Sequence, residues 1–375
     1  MTREQKLNIL RDGLIKDELN LPIAYTTGTY PALLKKKYDD FAKIIQIMEK
    51  GGIFSSSEVT CIGETCKSIL EASEQYFQGF PASAFEIFKQ GTDRLFTSEY
   101  IDKLMLFDRR VENRFYRIRH DRSRTVTQKK QLFHIPFEHR GYVSTQRYSI
   151  PGFPCLYLGS SVYACLEELR KIQDTSDVYV SSYKIADHIK FIDLGFPPRV
   201  AKVASYEIKD NHECFLALKA YYQCWPLLAA CSVRVLEDNH TFKAEYIIPQ
   251  LLLQWVRSST DYSGIRYFTS RSLSYVKSVH LYQNVVFPVE QNQEKGYCDR
   301  LIENFKLTNP ILLEQFRSSY EDEMSNSALF NLGRGRKGSV NDGKESDYRC
   351  TYYAYLEEEL EKMEHANLAD CNPIV

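Results

Sequence analysis

Several things are missing from this sequence, and each absence narrows what the chain can do. No apolar run approaches the ~20 residues needed to span a bilayer, so no membrane partner is expected. Charge of one sign is missing too. The 48 Lys and Arg balance 49 Asp and Glu to a net charge of −1, which provides no field to gather nucleic acid. There is no P-loop, no G-x-G-x-x-G joining a strand run to a helix and no G-x-S-x-G elbow, which argues against NTPase, Rossmann-type and hydrolase readings. Solenoid-type internal repeats are absent as well.

The opening MTREQKLNILRDGLIKDELN is charged throughout and lacks the apolar core and cleavage site of a secretory signal, so a cytoplasmic location is expected. Ten cysteines are scattered along the chain, several inside apolar runs such as YYQCWPLLAACSV, where a thiol behaves as a small hydrophobe. Reduced core thiols are expected rather than disulfides. Cys61 and Cys66 form CIGETC, but no second Cys or His pair has zinc-site spacing, and neither a metal nor a prosthetic cofactor is expected.

What is present is ordinary for a globular chain: 43% hydrophobic and 26% charged residues over 375 positions, enough for two domains. Residues 1–112 read as a helical accessory or regulatory domain. In PALLKKKYDDFAKIIQIMEKGG the apolar positions Leu33, Leu34, Tyr38, Phe41, Ile44, Ile45 and Met48 follow a helical period, and Gly51-Gly52 supplies a stop. TCKSILEASEQYFQGF repeats the signature, with Gly79 near its end.

From Phe115 the pattern changes to short β-branched or aromatic runs bounded by Gly, Pro, Asp and Ser, namely FYRIR, PCLYLG, VYVSSYKI and HIKFIDLG. A second group, GIRYFTS and VHLYQNVVFPV, follows an apolar EYIIPQLLLQWVRS. Between the strands, SSVYACLEELRK reads as a helix capped by Ser160 or Ser161, and HECFLALKAYYQCWPLLAACSV as a core helix. The expected fold class is α+β, with a mixed sheet in a domain spanning 113–318. Residues 319–375 are expected to form a polar, flexible tail that carries a short helix over YYAYLEEELEKMEHANLA.

The chemistry concentrates in residues 133–169, FHIPFEHRGYVSTQRYSIPGFPCLYLGSSVYACLEEL. Arg147 stands at a polar-to-Pro-Gly turn, Tyr157 follows ten positions later in a short strand, and Glu168 eleven after that on a helix. Each has a plain alternative. An Arg before Pro-Gly is usually a solvated loop residue, a strand Tyr is usually packing, and one of Glu167 and Glu168 is expected to pair with Lys171 on the helix surface. His134 and His139 lie nearby in sequence and have a structural role as their ordinary reading.

Taken together, this stretch resembles the RES domain family, named for an arginine, a glutamate and a serine. Arg147-Tyr148, Pro151-Gly152, Leu156-Tyr157-Leu158 and Leu166-Glu167-Glu168 occur in the family's order. FYRIR resembles its opening strand, which adds Arg117 as a candidate. Gly264-Ile265-Arg266-Tyr267 resembles its later strand, where the serine's place falls to Thr269 or Ser270, with Ser270 favoured. The resemblance runs over about 115–285, and the helices before it look like the accessory region that precedes some RES domains.

The resemblance implies an ADP-ribosyltransferase-like fold that consumes NAD as a substrate. Family members break the nicotinamide–ribose bond and pass the ADP-ribosyl group to water, phosphate or a protein side chain, many of them as toxins in toxin–antitoxin pairs. The expected activity is NAD glycohydrolase or phosphorylase in a toxin or defence effector. A mono-ADP-ribosyltransferase acting on a protein, and an inactive RES-like binding module, are the alternatives. Arg147, Tyr157, Glu168 and Ser270 take the catalytic roles in this reading, and Arg117, Tyr148, Thr269 and His134 bind substrate.

The residue types suit that chemistry. A carboxylate stabilises positive charge growing on ribose, and a guanidinium offers a fixed fork of donors to an anion. An aromatic ring stacks on nicotinamide, and a hydroxyl holds its carboxamide or the ribose. An antitoxin or regulatory protein and a second copy of the chain are the partners left open.

Overall fold

The computed structural model describes residues 1–24, 28–96, 101–107, 114–169, 175–235, 237, 239–270, 282–317, 348 and 352–368. Most of the polar segment expected to be flexible, and Arg170-Lys171 at the end of SSVYACLEELRK, lie outside them. Described helices and strands establish the α+β class, with a helical N-terminal region. The chain forms two compact units, one of residues 1–111, 144–151 and 191–279, the other of 112–143, 152–190 and 280–375.

In the first unit, α1 (Arg3–Gly13), α2 (Tyr30–Lys50), α3 (Ser56–Phe77) and α4 (Pro81–Phe96) are joined by later segments of the chain. α2 buries Tyr30, Leu34, Tyr38, Phe41, Ile44, Ile45 and Met48, the stripe that its sequence period marks, and ends on Gly51 and on Gly52 at φ +65°. α3 begins nine residues before the TCKSIL segment, because Ser55 and Glu58 close a capping box there.

These helices do not close a core among themselves. They pack on α7 (Asn211–Cys231), in which fifteen residues are buried and which carries Pro226 inside it. Phe41 stacks on Trp225 with ring centroids 4.3 Å apart, and the hydroxyls of Tyr30 and Tyr38 donate to the carbonyls of Ala230 and Pro226. A helix apolar on all sides must be surrounded, whereas α1–α3 each have one apolar face to hide. The expectation of a separate domain over 1–112 therefore differs from the observed division. α6 (Pro198–Ser205) and α8 (Ile247–Ser258) complete the helical layer, and β4 (Phe191–Leu194) pairs in parallel with β5 (Gly264–Phe268).

The second unit is built on an antiparallel sheet in the order β6-β2-β1-β3-β7. Its strands are β1 (Arg114–His120), β2 (Cys155–Gly159), β3 (Val178–Ile185), β6 (Gln283–Pro288) and β7 (Phe305–Leu307), and β8 (Ile311–Leu312) also pairs with β3. α5 (Val162–Leu169) and α10 (Tyr352–Lys362) cover one face, and α9 (Asp299–Asn304) leads into β7. The short helix expected near the C-terminus is thus α10. Its Leu356 and Leu360 are fully buried against Tyr116, Val162, Cys165, Val178 and Val180, so this part of the expected tail is core.

All eight described cysteines are free thiols. Burial pushes Cys165 and Cys231 up to about 12, which keeps them protonated and inert. Among the described residues no helix is long and apolar enough to cross a membrane.

Candidate functional site

Arg147 and Tyr148 form the tip of a tight turn. The Ser149 amide donates to the Gln146 carbonyl at 3.2 Å, and the Gln250 side-chain amide from α8 donates to the carbonyls of Gln146 and Ser149, also at 3.2 Å each. So fixed, the half-buried Arg147 donates from Nη1 to the Cys231 carbonyl (3.0 Å) and from Nη2 to the Val233 carbonyl (2.9 Å) and Ser270 Oγ (3.0 Å). Its guanidinium lies 5.3 Å from the centre of the Tyr246 ring.

A guanidinium has five N–H donors, and three are spent here on orientation. Tyr148 is fully buried, with its ring centroid 4.5 Å from that of Tyr267. Thr269 is buried, and Ser270 is the hydroxyl that meets Arg147. Arg147, Tyr148, Thr269 and Ser270 are therefore one cluster in the first unit.

The second unit gathers Arg117, Tyr157 and Glu168. Arg117, near the middle of β1, donates from Nη1 to the carbonyl of Tyr157 on β2 at 2.8 Å, and burial lowers its pKa. Helix α5 starts on Ser161, whose hydroxyl accepts from the Ala164 amide at 2.9 Å. Two residues before it, Gly159 lets the helix approach the strand end. A Cβ at this position would stand 2.6 Å from Cys165 Sγ and 3.2 Å from the Ser161 carbonyl oxygen.

That approach sets the helix register. Glu168 is half-buried, with Oε1 accepting from Asn284 Nδ2 on β6 at 3.0 Å. Glu167 instead faces Tyr163 and Tyr282, whose hydroxyls burial and then the Glu167 charge push upward. Cys165 lies within electrostatic reach of both Arg117 and Glu168.

His134 belongs to this unit too, but in its core. Its Nε2 accepts from the Cys298 amide at 2.9 Å, so Nδ1 carries the proton and donates to the Ile135 carbonyl at 2.8 Å. Phe133, Phe137 and Tyr297 pack around it, and burial lowers its pKa to about 4. Both ring nitrogens are thus committed to backbone groups.

Asn284 escaped the sequence reading. Its signal was the adjacent amide pair Gln283-Asn284 inside the apolar VHLYQNVVFPV, positions that ask for hydrogen-bond partners when buried. Glu357 of α10 escaped it as well. Its carboxylate accepts from the Val162 amide, at the start of the helix that bears Glu168, at 2.7 Å, and from the Tyr348 hydroxyl at 2.7 Å.

An α+β protein with an arginine cluster in one unit and an arginine–glutamate cluster in the other is the class defined so far. The chain is 34% identical over 323 residues to the protein named "Putative toxin YopC" from Bacillus subtilis (strain 168), covering 82% of this chain and 71% of that one. It belongs to the same family as that protein. No family model and no solved structure matches the chain.

Proposed function

We propose that this protein is a cytoplasmic toxin or defence effector of the RES type, on an ADP-ribosyltransferase-like fold, which splits NAD between nicotinamide and ribose. The observation that carries the reading is Arg147. A guanidinium locked by two carbonyls and the Ser270 hydroxyl, with donors still to offer, is oriented to grip an anionic or hydroxyl-rich substrate. Kinship with a protein named as a toxin supports the toxin role.

In this reaction the bond from ribose C1′ to the nicotinamide nitrogen breaks, and its electron pair leaves with nicotinamide, neutralising the pyridinium. Oxygen of water or phosphate bonds to C1′ and gives up a proton. Glu168, oriented by Asn284, stabilises the positive charge that grows on the ribose. Tyr157 stacks on nicotinamide, and Arg117 braces the strand that carries it. An antitoxin that restrains the enzyme is the partner such an activity requires.

The test is to incubate the purified chain with NAD, with and without phosphate, and follow free nicotinamide. Release is expected, and no release under either condition would sink the proposal. The rival mono-ADP-ribosyltransferase is separated by labelled NAD, since transfer leaves label on protein whereas hydrolysis and phosphorolysis leave it on small molecules.

A further inference from the structure

The turn that presents Arg147 is also one wall of a pocket. Thr145 and Pro151 flank the turn, and the pocket continues over Phe242, Lys243 and Tyr246 to Tyr76 on α3, with a volume of about 260 Å³. All of its lining lies in the first unit. The lining is unusual for a surface hollow, with three aromatic rings, one lysine and no carboxylate. Phe242 keeps 53% of its surface exposed and makes an edge contact with the also exposed Phe77, ring centroids 5.9 Å apart. An aromatic ring kept in water at the mouth of a hollow finds its use in stacking on a ligand.

Its position narrows the ligand. Tyr246 is both the floor of the pocket and the ring over which the Arg147 guanidinium sits at 5.3 Å. Lys243 Nζ lies 5.7 Å from the centre of the same Tyr246 ring. A ligand seated here therefore meets aromatic walls and one cation, Lys243, with Arg147 held on the Tyr246 ring. The volume falls below the ~300–1,000 Å³ of pockets that enclose a whole drug-sized ligand. It accommodates one base with its sugar.

We propose that this pocket binds the adenine end of the substrate, the base stacking among Tyr76, Phe242 and Tyr246 and the adjoining phosphate meeting Lys243. The inference rests on the NAD reading for the identity of the substrate. It also gives the N-terminal helices a share in substrate recognition, because Tyr76 comes from α3.

AMP, which contains the adenine end and cannot be cleaved at a nicotinamide bond, tests this by calorimetry on the full chain. AMP is expected to bind, and Phe242→Ala and Tyr76→Ala each to weaken it about tenfold or more, the scale of losing one base-stacking partner. Phe242→Trp should restore binding. Since Phe242 is more than half exposed, its substitution leaves the core intact. In kinetics the same alanine variants should raise KM for NAD about tenfold, keep kcat within about twofold and leave KM for nicotinamide mononucleotide unchanged.

Absence of AMP binding, or AMP binding untouched by both alanine variants, would overturn the proposal. Inorganic pyrophosphate binding as tightly as AMP would overturn it too, since only a phosphate site would remain. AMP binding that Phe242→Ala weakens, in a chain that releases no nicotinamide from NAD, would uphold the pocket as a nucleotide site while removing the NAD reading.

Discussion

The two compact units bury charge in different ways. The first unit holds two buried ion pairs. Asp193 and Arg266 face each other across the parallel β4–β5 ladder, each side chain 1% exposed, with Nε to Oδ1 at 2.9 Å and a second contact from Nη2 to Oδ2. The Arg266 guanidinium also lies over the rings of Phe191 and Phe196. Lys219 on α7 meets Glu58 on α3 at 2.6 Å.

In the second unit, His134 and Glu357 are buried, hydrogen-bond to neutral groups and adjust by titrating. Burial lowers the histidine to about 4 and raises the glutamate to about 7, against the opposing effect of the bonds to Tyr348 and Val162. A pair resolves the cost of desolvation by geometry, and a lone group resolves it by staying neutral. The first unit should therefore respond to loss of a partner, and the second to pH.

The largest effect expected from this contrast is on Asp193→Ala. It leaves the Arg266 cation buried and uncompensated, and should cost about 3–5 kcal/mol in denaturant unfolding. A loss below about 1 kcal/mol would show that the pair is not the device described here.

Glu357→Gln should act next. The folded pKa of Glu357 is raised, so the stability tied to its protonated form is complete below about 4.5 and is lost as pH rises through about 7. The glutamine variant should therefore match the parent near pH 4 and exceed it by about 3 kcal/mol at pH 8. Parallel pH profiles for the two proteins would break the comparison.

His134 works in the opposite direction. Its depressed pKa means that stability is intact above about 6.5 and falls as pH drops toward about 4, by up to about 3 kcal/mol. A proton NMR titration should find its ring neutral at pH 5.5. An imidazole that titrates near 6.5 would contradict the burial argument. The smallest effect belongs to Lys35→Ala, which removes an ion pair to Asp39 whose side chains are 66% and 60% exposed, and should change stability by less than about 0.5 kcal/mol.

Legibility in the sequence followed the range of the interaction. The stripe of α2, the glycine stops after α2 and α3, the punctuated strand runs and the cap of α5 are local, and they could be read residue by residue. The return of α7 to enclose the N-terminal helices could not, because its uniform apolarity says that it is buried and not by what. Two spacings, from Arg147 to Tyr157 and on to Glu168, marked positions without showing what holds them. Ser270, Gln250 and the Cys231 carbonyl orient Arg147 from far along the chain, and Asn284 orients Glu168 likewise. His134 stood near the signature in sequence, yet its ring is committed to the Cys298 and Ile135 backbone by a fold that no local pattern encodes.

The most direct test of the central claim is nicotinamide release from NAD by the parent chain beside Glu168→Gln and Arg147→Lys. We expect release by the parent and a fall of about 10²–10³-fold in each variant, with unfolding midpoints unchanged for the half-buried Glu168. Release at the parent rate by both variants would contradict the account.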